Sequence, residues 1–251
     1  EKGKAHVQSY IRGRRNLSEE KKQTLLGALS IQPEVAGDLT SVDLFIEAVI
    51  EDPEVKRKLF DQITKSAKPD ALLATNTSSL SVTDLATHVS SPERFLGVHF
   101  FNPAEKMPLV EIIRTEKTDG PSILRAAAFT ANIGKYPIVV EDVPGFLVNR
   151  ILTPYLTEAG VLLKQGVSVS DIDRAATTFG MPMGPLRLID EVGLDIAAKV
   201  AEMLEAGYGD RMKSSGLVET LLKAGRKGKK SGSGFYLYEG ESSRPDPELT
   251  R

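Results

Sequence analysis

Apolar and polar residues alternate in blocks along the first half of the chain. VDLFIEAV at 42–49, ALLAT at 71–75, FLGVHFF at 95–101, LVEIIR at 109–114 and YPIVV at 136–140 are short apolar runs, each predicted to be a buried strand. Stretches with helical spacing lie between them. One begins at Pro53, a residue suited to the first turn of a helix, and runs to about Lys65. A short one covers 82–88, and a longer one covers 121–133 and stops at Gly134. Residues 1–30 also read as helical with a break, and Ser18 followed by Glu19 and Glu20 restarts the helix. Strands alternating with helices predict a parallel α/β sheet.

After Pro144-Gly145 the period becomes helical almost throughout. Residues 146–164 form one stretch, stopped by Gly166. Ser170 is expected to cap the next helix, and 185–206 is amphipathic with a break at Gly193. The chain therefore divides into an α/β unit over 1–141, a helical unit over 142–238, and a polar, Pro-containing linker or tail over 239–251.

Composition narrows the function classes. Lys plus Arg number 32 against 34 Asp plus Glu, so no nucleic-acid partner is expected. The apolar runs are too short for membrane insertion. Without Cys there is no disulfide framework, thiolate metal site or Cys nucleophile, and no zinc motif is present; the expected metal is none.

The chemistry concentrates in the first half. Of His6, His88 and His99, only His99 lies inside an apolar strand. Such a His is either a satisfied core residue or a prepared acid/base. Glu111 lies inside the next apolar strand, where a carboxylate is costly to bury alone. Adjacent strands would pair the two, and a Glu beside a His orients the imidazole and supports its cation. The alternative is a structural ion pair. Ser78 follows a predicted strand, where α/β sheets bind ligands, although Ser78 or Ser79 could simply cap the next helix. Asn149 lies one turn into a helix, where Asn is a poor interior residue, so its presence asks for a buried hydrogen bond or a ligand. RKGKKSGSG at 226–234 is either a solvated loop or a phosphate contact. No G-x-G-x-x-G turn joins a strand to a helix.

FLGVHFFNPAEKMPLVEII, TNTSSLS, DVPGFLVNRIL, GMPMGPLRLIDEVGLD and KKSGSGFYLY together resemble the signature segments of 3-hydroxyacyl-CoA dehydrogenases, over about residues 40–238. The phrases NPAEKMPLVEII and FGMPMGP are most similar to the multifunctional fatty-acid-oxidation α-subunits. The resemblance implies a truncated Rossmann-type parallel sheet followed by an all-helical domain. It implies NAD-dependent oxidation of (3S)-3-hydroxyacyl-CoA to 3-oxoacyl-CoA. His99 is then the acid/base, Glu111 its orienting partner, and Ser78 and Asn149 the residues that hold the substrate. Glu51, Lys56, Asn76, Ser78, Asn102 and Lys230 match positions lining the cofactor or its approach. Lys2, Lys4, Arg12, Arg14 and Arg15 are candidates for contacts to CoA phosphates.

The family's first β-α-β unit, which carries the Gly-rich diphosphate turn, has no counterpart in these motifs. The expectation is a fragment with impaired NAD binding. The implied partners are an acyl-CoA thioester and either a second copy or neighbouring domains of a multifunctional enzyme. The expected compartment is the bacterial cytoplasm, or the mitochondrion or peroxisome in a eukaryote. The alternative function is a non-catalytic acyl-CoA-binding or dimerisation module.

Overall fold

The structure, a computed structural model, describes residues 2–32, 34, 35 and 39–250. The chain opens with α1 (Lys2–Gly13) and α2 (Glu19–Gly27). Ser18 caps α2 by accepting a hydrogen bond from the Lys21 N–H. The two helices pack on each other, and none of their described residues is fully buried. Among the basic residues of α1 and the turn after it, Arg14 stacks over the Tyr10 ring, and the side chain of Lys2 lies outside the described residues.

The α/β unit follows as β1 (Leu44–Glu47), α3 (Pro53–Thr64), β2 (Leu72–Thr75), α4 (Val82–Ala86), β3 (Phe95–Phe100), β4 (Leu109–Arg114), α5 (Gly120–Asn132) and β5 (Tyr136–Glu141). The strands form one Rossmann-like sheet in the order β1-β2-β3-β4-β5. It is not wholly parallel as expected. β1, β2 and β3 run one way, while β4 is antiparallel to β3 and β5 parallel to β4. The cause is the connection at 101–108, which contains no helix and is too short for a parallel crossover.

The two faces of the sheet bury different clusters. One face carries Leu72, Ala74, Leu96, Val98, Val110 and Ile112, with Ala126 of α5 packed against it. The other carries Leu73, Phe95 and Ile113, covered by Phe60 of α3 and by Val82 and Leu85 of α4. Phe60 meets Phe95 edge to face at 4.9 Å, a favoured geometry for aromatic pairs. Gly97 lets α4 come close: a Cβ there would lie 2.9 Å from Val82 and Ile113.

The helical unit contains α6 (Val148–Lys164), α7 (Val169–Phe179), α8 (Pro185–Val192), α9 (Leu194–Tyr208) and α10 (Leu217–Lys223), then a hairpin of β6 (Tyr236–Glu239) and β7 (Ser242–Pro245). Ser168, not Ser170, caps α7, because Ser168 Oγ accepts from the Asp171 N–H. Starting the helix two residues earlier puts fully buried Val169 on its core face. The expected tail over 239–251 also differs, since 242–245 pairs with β6 and Asp246 is buried against the Arg226 guanidinium. A Pro-containing segment can close such an edge strand, because an edge needs hydrogen bonds on one side only.

The hairpin is anchored by two buried carboxylates. Asp190 accepts from the N–H groups of Phe235 and Tyr236 and from the Tyr238 hydroxyl. Asp173 accepts from the Tyr236 hydroxyl and from the first N–H groups of α8. Burial pushes the Asp190 pKa above the usual aspartate value although these donors oppose the shift. Among the described residues no helix is long and apolar enough to cross a membrane.

Candidate active site

His99 and Glu111 are direct cross-strand partners in the antiparallel β3–β4 pair. Opposed residues on such a ladder share a face with their Cβ atoms about 5 Å apart. The His99 Nδ1 and Glu111 Oε2 atoms meet at 2.8 Å. Glu111 is completely buried and His99 is 7% exposed. The imidazole lies against Phe101 and Phe146, with ring centroids 4.4 and 5.8 Å away. Glu111 occupies Nδ1, so Nε2 is the nitrogen left for a reacting group.

The other Glu111 oxygen solves the problem of burying a carboxylate. Oε1 accepts from the Leu147 and Val148 N–H groups, at 3.0 and 2.9 Å. These belong to the start of α6, whose N-cap residue Leu147 makes no side-chain cap of its own. A carboxylate at a helix N-terminus is stabilised by the exposed N–H groups and by the positive end of the helix dipole. Phe146, just upstream, has φ +49°, a strained value for a bulky residue, and is buried beside His99.

The turn after β2 approaches from the neighbouring strand. Ser78 and Ser79 do not cap α4; Ser81 does, accepting from the Asp84 N–H. Instead Glu51 organises the turn. It accepts from the Thr77 hydroxyl, the Ser78 N–H and the Ser79 hydroxyl. Burial works against its charge, but the Thr77 hydrogen bond and the nearby Lys56 ammonium prevail, so its pKa lies below the usual glutamate value. Lys56 is fully enclosed. Its ammonium bonds both oxygens of buried Glu47 at 2.8 and 2.9 Å and the Asn76 carbonyl at 2.9 Å, with Glu51 at 3.3 Å. Lys56 thus holds the turn from behind.

Asn76 Oδ1 accepts from the Phe100 N–H at the end of β3. The Asn76 amide N–H2 and the Ser78 hydroxyl make no hydrogen bond among the described residues, so both remain available to a ligand. The Asn149 Nδ2 donates to the Ser78 carbonyl at 3.4 Å, which brings the helical unit to the same turn. Asn102 follows β3 and is exposed.

His99, Glu111, Ser78, Asn149, Asn76, Glu51 and Lys56 are therefore one connected group. Lys230 is not joined to it: its ammonium pairs with Asp195 in the helical unit. Lys229 and Arg226 likewise face Glu191 and Asp246, so the basic loop spends much of its charge internally. Glu47 and Phe146 were not singled out from the sequence. Glu47 carried the signal that marked Glu111, a carboxylate inside an apolar strand. Phe146 carried none, because positive φ at a Phe has no composition cue.

Residues 1–143 match the family model "3-hydroxyacyl-CoA dehydrogenase, NAD binding domain", and residues 145–238 match "3-hydroxyacyl-CoA dehydrogenase, C-terminal domain". The chain belongs to the 3-hydroxyacyl-CoA dehydrogenase family. NAD is thus the cofactor of the family domain that the first half matches. Fatty acid oxidation complex subunit alpha from Psychrobacter arcticus is 47% identical over 205 residues, covering 81% of this chain and 28% of that protein. The Shewanella halifaxensis subunit is 40% identical over 237 residues, 94% of this chain and 33% of that protein. The chain spans about a third of the length of these curated relatives. Among solved structures, 3-hydroxybutyryl-CoA dehydrogenase from Escherichia coli superposes with a TM-score of 0.91 at 35% identity, covering 96% of this chain and 52% of that one. The (S)-3-hydroxybutyryl-CoA dehydrogenase from Ralstonia eutropha gives 0.87 at 36% identity, covering 94% and 84%.

For this family the decisive fit is that of NAD. The carboxyl ends of β1, β2 and β3 present Glu51, Asn76, Ser78 and Asn102, and the side-chain donors of Asn76, Ser78 and Asn102 make no hydrogen bond among the described residues. Polar groups at the carboxyl ends of parallel strands are what an open α/β sheet offers a dinucleotide. Among the described residues no Gly-rich turn joins a strand to a helix N-terminus, so they offer no cradle for the diphosphate.

Proposed function

We propose that the protein containing this chain oxidises (3S)-3-hydroxyacyl-CoA to 3-oxoacyl-CoA with NAD. The observation that carries this reading is the His99–Glu111 pair, fixed between the sheet and the start of α6 with Ser78 and Asn149 at the same turn. Bound NAD supplies the hydride acceptor. His99 Nε2 takes the proton of the 3-hydroxyl as the C3–H bond breaks. Glu111 holds the imidazole in the tautomer with Nδ1 protonated and supplies the counter-charge once the ring is cationic. The Ser78 hydroxyl and the Asn149 amide hold the substrate oxygens, and Phe101 and Phe146 keep water from the imidazole. Asn76 and Asn102 face the nicotinamide end, and Glu51 and Lys56 keep the β2 turn in place.

In such a protein the chain works with an acyl-CoA thioester as its small-molecule partner and packs against a second copy or neighbouring domains. The bacterial cytoplasm is the compartment this reading implies. Calorimetric titration of the chain with acetoacetyl-CoA, and separately with NADH, tests the proposal. Binding of both supports a dehydrogenase. Binding of acetoacetyl-CoA without NADH supports the acyl-CoA-binding module for the chain by itself. Absence of acetoacetyl-CoA binding overturns the substrate assignment.

A further inference from the structure

The helical unit contains an apolar cavity of about 120 Å³ that begins at Asn149. Asn149, Leu152, Thr153, Leu156, Thr157 and Gly160 line it from α6. Their spacing puts them on a single stripe of that helix, running away from the His99–Glu111 pair. Val200 and Ala201 of α9, Leu188 of α8 and Val218 of α10 are among the residues that face them. The wall residues Leu152, Leu156, Val200 and Val218 are only half-buried, so the helices leave this space unfilled. At the far end Gly160 closes on Ser215: a Cβ there would lie 2.6 Å from the Ser215 Oγ.

We infer that this cavity receives the hydrocarbon tail of the acyl group and sets the chain length the site favours. The inference rests on the proposed acyl-CoA reading of the site. Continuity decides the occupant: Asn149 is at once the residue bonded to the Ser78 turn and the first residue of the cavity. A tail leaving the reacting carbons at Asn149 has this apolar stripe directly ahead of it. An apolar cavity of ~150 Å³ accepts benzene, so this one, at about 120 Å³, takes about five carbons beyond the reacting three. Gly160 and Ser215 form the stop, and Val200, Ala201 and Val218 are the residues that set the width.

The test is a calorimetric series on the purified chain with 3-oxoacyl-CoA esters of four, six, eight and ten carbons. Affinity is expected to rise about fourfold per added methylene and to level off near about eight carbons. Val200→Phe, which fills the cavity, should flatten that rise and leave acetoacetyl-CoA affinity unchanged. Ala201→Val is the milder variant if Val200→Phe does not fold, and it should move the plateau to a shorter chain. A flat series in the unaltered chain overturns the inference, as does an unchanged rise in a folded variant. An unchanged rise with altered sedimentation would assign the cavity to contact between two copies, which also overturns it. Loss of acetoacetyl-CoA binding in the unaltered chain would instead defeat the underlying acyl-CoA reading.

Discussion

Glu111 on the sheet accepts a hydrogen bond from the Val148 N–H at the start of α6, at 2.9 Å. The same carboxylate holds His99, so one side chain serves the acid/base candidate and also caps a helix of the second unit. Glu111→Ala would strand the Leu147 and Val148 donors and the imidazole N–H. The expected loss is about 3 kcal/mol of stability, because buried unpaired groups cost about 1–3 kcal/mol each. Glu111→Gln keeps one acceptor oxygen and should lose about 1 kcal/mol. Thermal melts of both variants check the order; equal stability for all three proteins would refute the shared cap.

His99→Gln, made in a dehydrogenase carrying this chain and supplied with NAD, should lower kcat by about 10²–10⁴-fold while acyl-CoA binding persists. Stopped-flow turnover and equilibrium titration separate the two effects. Normal turnover in the variant would remove His99 from the proton-transfer role.

Lys56 neutralises carboxylates in a space water does not reach. Lys56→Met leaves Glu47 buried without a counter-ion and should cost about 3–5 kcal/mol. Adding Glu47→Gln should recover part of that loss, since the uncompensated charge is then gone. Denaturant midpoints of the single and double variants measure it, and a double variant no better than the single would argue against charge as the cause.

Glu51 has a pKa lowered from the ordinary 4.5 by its folded surroundings. A lowered carboxylate stabilises the fold above its unfolded pKa, and that contribution disappears as pH falls through the lower folded value. The window is therefore at and below pH 4.5. Glu51→Gln should lose less stability than the unaltered chain on acidification across that window. Asp190, raised by burial, has the opposite sign and contributes most below its unfolded pKa. Melting temperatures from pH 6 down to about pH 3 compare the slopes; parallel curves would discount Glu51.

Gly145 precedes Phe146 with φ +74°, and a Cβ there would lie 2.7 Å from Leu204 Cδ2, a fully buried side chain. Gly145→Ala should cost about 2 kcal/mol from the left-handed backbone alone. That corresponds to a drop of about 4–8 °C in Tm for a chain of this size. An unchanged Tm would mean the junction relaxes around the new methyl.

Much of this arrangement was legible in the sequence, for physical reasons. Apolar runs located all five strands of the main sheet, since a buried strand needs apolar residues whatever its direction. Direction was less legible: alternation with helices suggested parallel strands, and only the short helix-free segment at 101–108 pointed to the reversal. His99 and Glu111 stood out because polar groups in apolar strands require partners. The cap that Glu111 gives α6 was invisible, because it joins backbone groups of one unit to a side chain of another. Lys56 illustrates the converse. Only the resemblance drew notice to its position, and its complete enclosure by Glu47, Glu51 and Asn76 is a tertiary fact. The hairpin at 236–245 was hidden by its polar edge strand, which pairs on one side and leaves no apolar signature.

The ladder that joins β3 to β4 has a consequence for how errors are tolerated. A slip of one residue would turn Glu111 onto the face lined by Leu96, Val98 and Ile112, and would bring apolar neighbours out of place on both faces. Any misalignment that separates His99 from Glu111 is thus opposed by the whole sheet, far more strongly than by the single contact between them. The sheet acts as a ruler for its own chemistry.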